Sequence, residues 1–207
     1  MAGSPRYLTK SRFSLAMECP AKLFYNGKKE YANRKLEDPF LEALAEGGFQ
    51  VGELARRYFP GGILIDEIRH KEAEEMTAEL MKRDSVTLFE PAFRFGNLFI
   101  RADILAKDGN SLHLIEVKAK SWDSSEPDSF FTKKGNIPSG WKSYIYDVAF
   151  QTYVLGNAMP GFEVEPFLMM ADKSALCPTD GLNQKLRIRL GHDDGKRIEI
   201  YGDLTPD

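Results

Sequence analysis

Apolar positions along the chain follow two periods. From Phe40 to Tyr58, the residues Phe40, Leu41, Leu44, Val51, Leu54, Ala55 and Tyr58 recur at roughly helical spacing. Asp38 can cap this segment, Pro39 suits its first turn, and Gly47-Gly48 is expected to bend or split it. Residues 8–26 read as one or two short helices, with Ser11 as N-cap and Pro20 in the first turn of the second. Ile63–Ile65 suggests a short strand. His70–Arg83 suggests a charged helix with Ala73, Met76 and Leu80 on its apolar side.

The period then changes to two. Residues 86–95, 98–106 and 111–118 predict three strands, with turn signals at Gly96-Asn97 and Lys107–Asn110. Residues 119–140 predict a long polar loop. Trp141–Asn157 predicts a helix that buries Trp141, Tyr144, Ile145, Val148, Ala149 and Leu155. Phe162–Ala171 predicts a further strand, and Lys185–Leu190 with Arg197–Tyr201 a terminal hairpin around residues 192–195. The expected class is α/β, or mixed α+β, with helices covering a central sheet. One domain over residues 1–207 is expected, with its core at about 38–171, a helical segment at 8–30 and the hairpin at 185–201.

One strand breaks the apolar rule. In 111–118, Leu114, Ile115 and Val117 are strand-prone, yet Glu116 and Lys118 share alternate positions, and Lys120 follows them. An even-length loop before this strand places Asp103 opposite Leu114, with Glu116 as its diagonal neighbour and Lys118 on the same face. An odd-length loop would move Asp103 to the other face. Two converging carboxylates suit a hard divalent cation such as Mg²⁺ or Mn²⁺, and the backbone carbonyl of Val117 could add an oxygen. A lysine beside such an ion can orient a water or stabilise developing charge, the layout of metal-assisted phosphodiester hydrolysis. A salt bridge at a strand end is the plainer reading of the same residues.

Composition adds bounds. The net charge of −3 gives no global basic field, though it leaves a local nucleic-acid groove open. Two cysteines, Cys19 and Cys177, make neither a disulfide framework nor a four-thiolate cluster, so a reducing, cytoplasmic setting is expected. No apolar run is long enough for a membrane span, and no membrane partner is expected.

With these residues in hand, the sequence resembles the PD-(D/E)XK nuclease superfamily, and more closely its RecB-like branch. The resemblance is carried by IRAD ending at Asp103, LIEVKA with Glu116 and Lys118, and YDVAFQTYVLG with Gln151 and Tyr153. SRFSLAMECPAKLFY resembles the branch's N-terminal helix with its Cys-Pro pair, and EGGFQVGELARRYFPGG the helix before its sheet. The likeness spans about residues 8–170. It implies a core of αβββαβ order, a divalent metal, and DNA cleavage, in repair, recombination or defence. Asp103 and Glu116 would be metal ligands, Lys118 the catalytic lysine, and Gln151 a helix-borne contact to DNA or to the site. Tyr153 would join Gln151 in holding nucleic acid, and Lys120, a basic group beside Trp122 and Trp141 at the long loop, could do so independently of the resemblance. Where the branch often carries a metal-binding histidine on its first long helix, this chain has Gly52, and Glu53 or Glu46 would supply an oxygen instead. Four-cysteine members hold an iron–sulfur cluster, which two cysteines do not lead one to expect here. The resemblance allows a further domain or partner subunit. The competing expectation is a catalytically inactive nucleic-acid-binding module on the same fold.

Overall fold

The computed structural model describes residues 6–28, 30–31, 39–126, 130–190 and 198–202, leaving aside the side chains of 39–44, 183, 188–190 and 198–201. The Asp38 cap and the 192–195 turn lie outside the described residues. The chain is of mixed α/β class.

β1 (Leu8–Thr9) leads into α1 (Lys10–Glu18). Thr9, not Ser11, caps α1, its hydroxyl accepting from the Arg12 N–H at 3.5 Å. A capping residue must be extended, as Thr9 is (φ −88°, ψ 167°), whereas Ser11 already lies within the helix. α2 (Pro20–Tyr25) starts at the expected proline. α3 (Pro39–Arg57) runs through Gly47-Gly48 without a break. A glycine costs a helix interior about 1 kcal/mol. Here tertiary packing overrides that cost, with Ala55 buried against Phe89, Ile104 and Ile115.

β2 (Ile63–Leu64), α4 (His70–Leu80), β3 (Ser85–Phe89), β4 (Ala92–Phe95), β5 (Leu98–Arg101), β6 (Ile104–Asp108) and β7 (Ser111–Trp122) follow. The expected strands 86–95 and 98–106 are therefore each divided in two. Pro91 has no N–H to give a ladder, and Glu90 takes φ 56°, a left-handed backbone that regular strands exclude. The partner strand breaks opposite, at Ala102-Asp103. Glu90 N–H still bonds to the Asp103 carbonyl (3.2 Å), and Ala102 N–H to the Pro91 carbonyl (3.1 Å), so the two-stranded ribbon bends without losing its pairing.

The bend sends the ribbon into two sheets. One has the order β1-β5-β4. The other, with β8 (Glu163–Asp172), has the order β2-β3-β6-β7-β8. In the larger sheet β6 runs antiparallel to both β3 and β7, while β2 and β8 join the edges parallel to their neighbours. β7 extends through Trp122, so the loop to α5 (Ser139–Ala158) is shorter than expected at both ends. α6 (Leu182–Lys185) and the antiparallel pair β9 (Arg187–Leu190) and β10 (Ile198–Tyr201) complete the chain, as the hairpin signal anticipates.

One face of the large sheet packs Leu88, Leu105, Leu112 and Leu114 against Phe150, Val154 and Leu155 of α5. The other packs Ile104 and Ile115 beneath Ala55 of α3. The buried side of α5 is Trp141, Asp147, Phe150, Gln151, Val154 and Leu155. Of the residues expected there, Tyr144, Ile145 and Val148 are half-buried and Ala149 is exposed. The helix is rotated because two polar residues, Asp147 and Gln151, take interior positions that a hydrophobic pattern assigns to solvent.

Candidate active site

The β6–β7 loop is the two-residue Gly109-Asn110 turn, since Asp108 pairs with Ser111. The register places Ile104 opposite Ile115, and continuing it by one residue places Asp103 opposite Glu116. Leu114 therefore pairs with Leu105 rather than with Asp103, and Asp103, just past the last pair, lies beside Glu116. The shift of two residues comes from the turn being tighter than the Lys107–Asn110 signal. Asp103 lies just beyond the end of β6, and it reaches the α3 side of the sheet with Val117, whereas Glu116 projects toward α5; Lys10 bridges the two.

Asp103 sits at the ribbon's bend, where β6 has ended. Its Oδ2 accepts the Val117 N–H at 2.7 Å, replacing the backbone acceptor that a longer β6 would offer. Glu116 projects from β7 toward α5 and is 1% exposed. Gln151 Nε2 donates to its Oε2 at 2.6 Å, and Lys118 Nζ approaches its Oε1 at 2.6 Å. Lys118 is also anchored on Asp147 Oδ2 at 2.7 Å. Asp147 and Gln151 stand one turn apart on α5 and meet β7 together. Gln151 is fully buried, and its Oε1 has no hydrogen-bond partner.

Two residues of α1 complete the cluster. Lys10 Nζ donates to both Glu116 oxygens, at 2.9 and 3.1 Å, and lies 3.7 Å from Asp103 Oδ1. Ser14 Oγ donates to Asp147 Oδ1 at 2.8 Å, and Phe13 stacks on Phe150 at 4.5 Å. Neither Lys10 nor Ser14 is among the residues that sequence patterning singled out. Their partners lie more than a hundred positions away. The only local signal is their i, i+4 spacing, which puts both on one side of α1.

The charges shift one another. Burial pushes the Asp103 carboxyl up to about 6 against the opposing pull of Lys10. Burial acts in the same direction on Glu116, but Lys10, Lys118 and Gln151 outweigh it and hold that carboxyl below its ordinary value. Both ammonium groups would be lowered by burial alone. Asp103 and Glu116 raise Lys10 instead, and Glu116 and Asp147 raise Lys118.

Beside the cluster, on the α3 side of the sheet, lies an open cavity of about 1030 Å³. Asp103 and Val117 reach its wall together with Gly52, Glu53, Arg56, Glu90 and Arg101. Glu53 therefore shares a cavity with Asp103, but its carboxylate is engaged by Arg56 and Arg57, at 4.0 and 3.5 Å. Glu116 does not line this cavity. Glu90 pairs with Arg56 at 3.0 Å on the cavity wall. Lys120 projects further along β7, its ammonium 4.7 Å from the Trp141 ring and 5.8 Å from Tyr144. Tyr153 is not brought in. Two residues beyond Gln151, it lies about 200° around the helix, exposed, with its ring 6.3 Å from Phe95. His113 is on the other face from Glu116, against Phe167 and Glu165.

The donors present fit a hard cation in part. Asp103 and Glu116 already converge on one cationic nitrogen, and the buried Gln151 Oε1 lacks a donor. Among the described residues, no group of three or more His, Cys, Asp or Glu side chains gathers to hold a metal. Two carboxylates suffice for Mg²⁺, which keeps most of its waters. Among the described residues, no helix is long and apolar enough to cross a membrane. No protein-family model matches the chain, and neither a curated protein nor a solved structure matches it.

Proposed function

We propose that this chain is a Mg²⁺- or Mn²⁺-dependent deoxyribonuclease of the PD-(D/E)XK type, RecB-like in its details. The observation that carries the reading is the convergence of Asp103, Glu116, Lys118 and Gln151 at the middle of β7, beside an open cavity. The order α3, β3, β6, β7, α5, β8, with β8 parallel to β7, supports the αβββαβ core. Asp103 and Glu116 would hold the ion, with Val117 beside them and Glu53 across the cavity. The ion, when bound, supplies a Lewis acid and a more acidic water. Gln151 fixes one Glu116 oxygen by donating to it, which leaves the carboxylate a single orientation. Lys118, held between Glu116 and Asp147, keeps a positive charge where a phosphate oxygen or attacking water needs stabilising. Lys120 and the rings around it extend positive and aromatic surface along β7, suited to a nucleic-acid strand. The two free cysteines fit a reducing, cytoplasmic setting.

A second reading, a nucleic-acid-binding module without catalysis, is favoured by one specific observation: Lys10 supplies the cation between the two carboxylates.

Cleavage of single- and double-stranded DNA with Mn²⁺, Mg²⁺ or chelator tests the proposal. Metal-dependent cleavage is expected, and Glu116→Gln and Lys118→Met should each reduce it by about 100-fold or more. DNA binding without cleavage would transfer the conclusion to the second reading. Neither binding nor cleavage would remove both.

A further inference from the structure

Lys10 differs from the other cation of the cluster. Lys118 keeps an anchor outside the carboxylate pair, on Asp147. Among the described residues, the Lys10 ammonium contacts the pair itself: both oxygens of Glu116 and, at 3.7 Å, Oδ1 of Asp103. It approaches from α1, and with Lys118 and Gln151 it covers Glu116 until 1% of that side chain is exposed. Glu116 is accordingly absent from the cavity wall that Asp103 reaches. Lys10 itself keeps a quarter of its side chain exposed, so it has a path outward.

We infer that Lys10 is a tethered counter-cation that a divalent ion must exchange with at Asp103 and Glu116. It thereby determines how tightly that ion binds. The inference rests on the nuclease reading for the identity of the ligands and extends it to a residue of the N-terminal helix. Without the ammonium, the buried Glu116 carboxylate and the half-buried Asp103 carboxylate would lie close together with Lys118 reaching only Glu116, which low-dielectric surroundings make costly. Lys10 offsets that cost before the ion arrives. An incoming ion recovers the attraction of both carboxylates only by breaking the two Lys10–Glu116 hydrogen bonds, so its net affinity is smaller by the strength of those bonds. Exchange would also uncover Glu116 toward the cavity and release an ammonium at its edge.

Mn²⁺ titration calorimetry on wild type, Lys10→Met and Asp103→Asn tests this. Lys10→Met should bind Mn²⁺ more than about tenfold tighter than wild type, and Asp103→Asn should lose binding. Equal or weaker binding by Lys10→Met, with binding still lost in Asp103→Asn, overturns the exchange while leaving the metal site intact. No binding by either wild type or Lys10→Met overturns the exchange and the nuclease reading together. If Lys10→Met fails to fold, the wild type carries the test alone. Acylation of Lys10 by sulfosuccinimidyl acetate, followed by mass spectrometry, should speed up several-fold in Mn²⁺ relative to potassium chloride at equal ionic strength. Unchanged reactivity in Mn²⁺ overturns the proposal.

Discussion

At the scale of single residues, Glu116 concentrates the energetics. A carboxylate 1% exposed is tolerated only because Lys10, Lys118 and Gln151 all reach it. Asp103 behaves oppositely, since burial outweighs its partners. Its folded pKa of about 6 lies above the ordinary 3.8, so the folded state holds that proton more strongly. The contribution favours the fold at low pH and is lost as pH rises through about 6. Asp103→Asn removes the loss, so its metal-free melting temperature should gain on wild type between about pH 4 and pH 7. Parallel curves across that range would refute the assignment. Asp103, Glu116 and Lys118 were legible in the sequence, because charge at a two-residue period inside an apolar strand is unusual, and Gln151 was legible only through the family resemblance. Lys10 and Ser14 were not. A lysine near the start of a basic N-terminal segment reads as solvated, and nothing local records a partner 106 positions later.

At the scale of elements, α3 shows what glycine means in a helix. Gly47 and Gly48 gave a sequence signal for a break, yet the helix is continuous. A β-carbon at either position would meet nothing within 4 Å. Gly47→Ala should therefore stabilise the protein by up to about 1 kcal/mol through helix propensity alone, read as a higher denaturant midpoint at unchanged slope. Gly62 is the contrast. A β-carbon there would lie 2.2 Å from the Phe89 ring, so Gly62→Ala should lower the midpoint. The strands were legible as apolar runs, but the bend was not. Glu90-Pro91 interrupts one run by a backbone conformation that no hydrophobic pattern encodes, and the partner run breaks only because it is paired. The buried side of α5 was misjudged for a related reason: its polar residues are interior because charges on another element await them.

At the scale of the whole molecule, the contacts that fasten α1 to the sheet and to α5 include Phe13 on Phe150, Ser14 on Asp147, and Lys10 on Glu116 and Asp103. Phe13→Ala should cost about 1–2 kcal/mol, less than the roughly 3–5 kcal/mol of a fully buried phenylalanine. It should also loosen Lys10, so Mn²⁺ binding should tighten while stability falls. Calorimetry together with a urea melt reads both, and a stability loss with unchanged Mn²⁺ affinity would uncouple α1 from the site. The mixed α/β class followed from element order. The division into two sheets did not, because it depends on a single corner rather than on any segment's composition.

The Val117 N–H, bound to a carboxylate rather than to a neighbouring strand, gives that corner a spectroscopic voice. Its amide resonance should sit downfield through a charged acceptor, and its solvent exchange should follow Asp103 alone rather than the ladder around it. One cross-peak in a nitrogen–proton spectrum would then report protonation, ion entry and departure of Lys10, residue by residue, before any substrate is chosen.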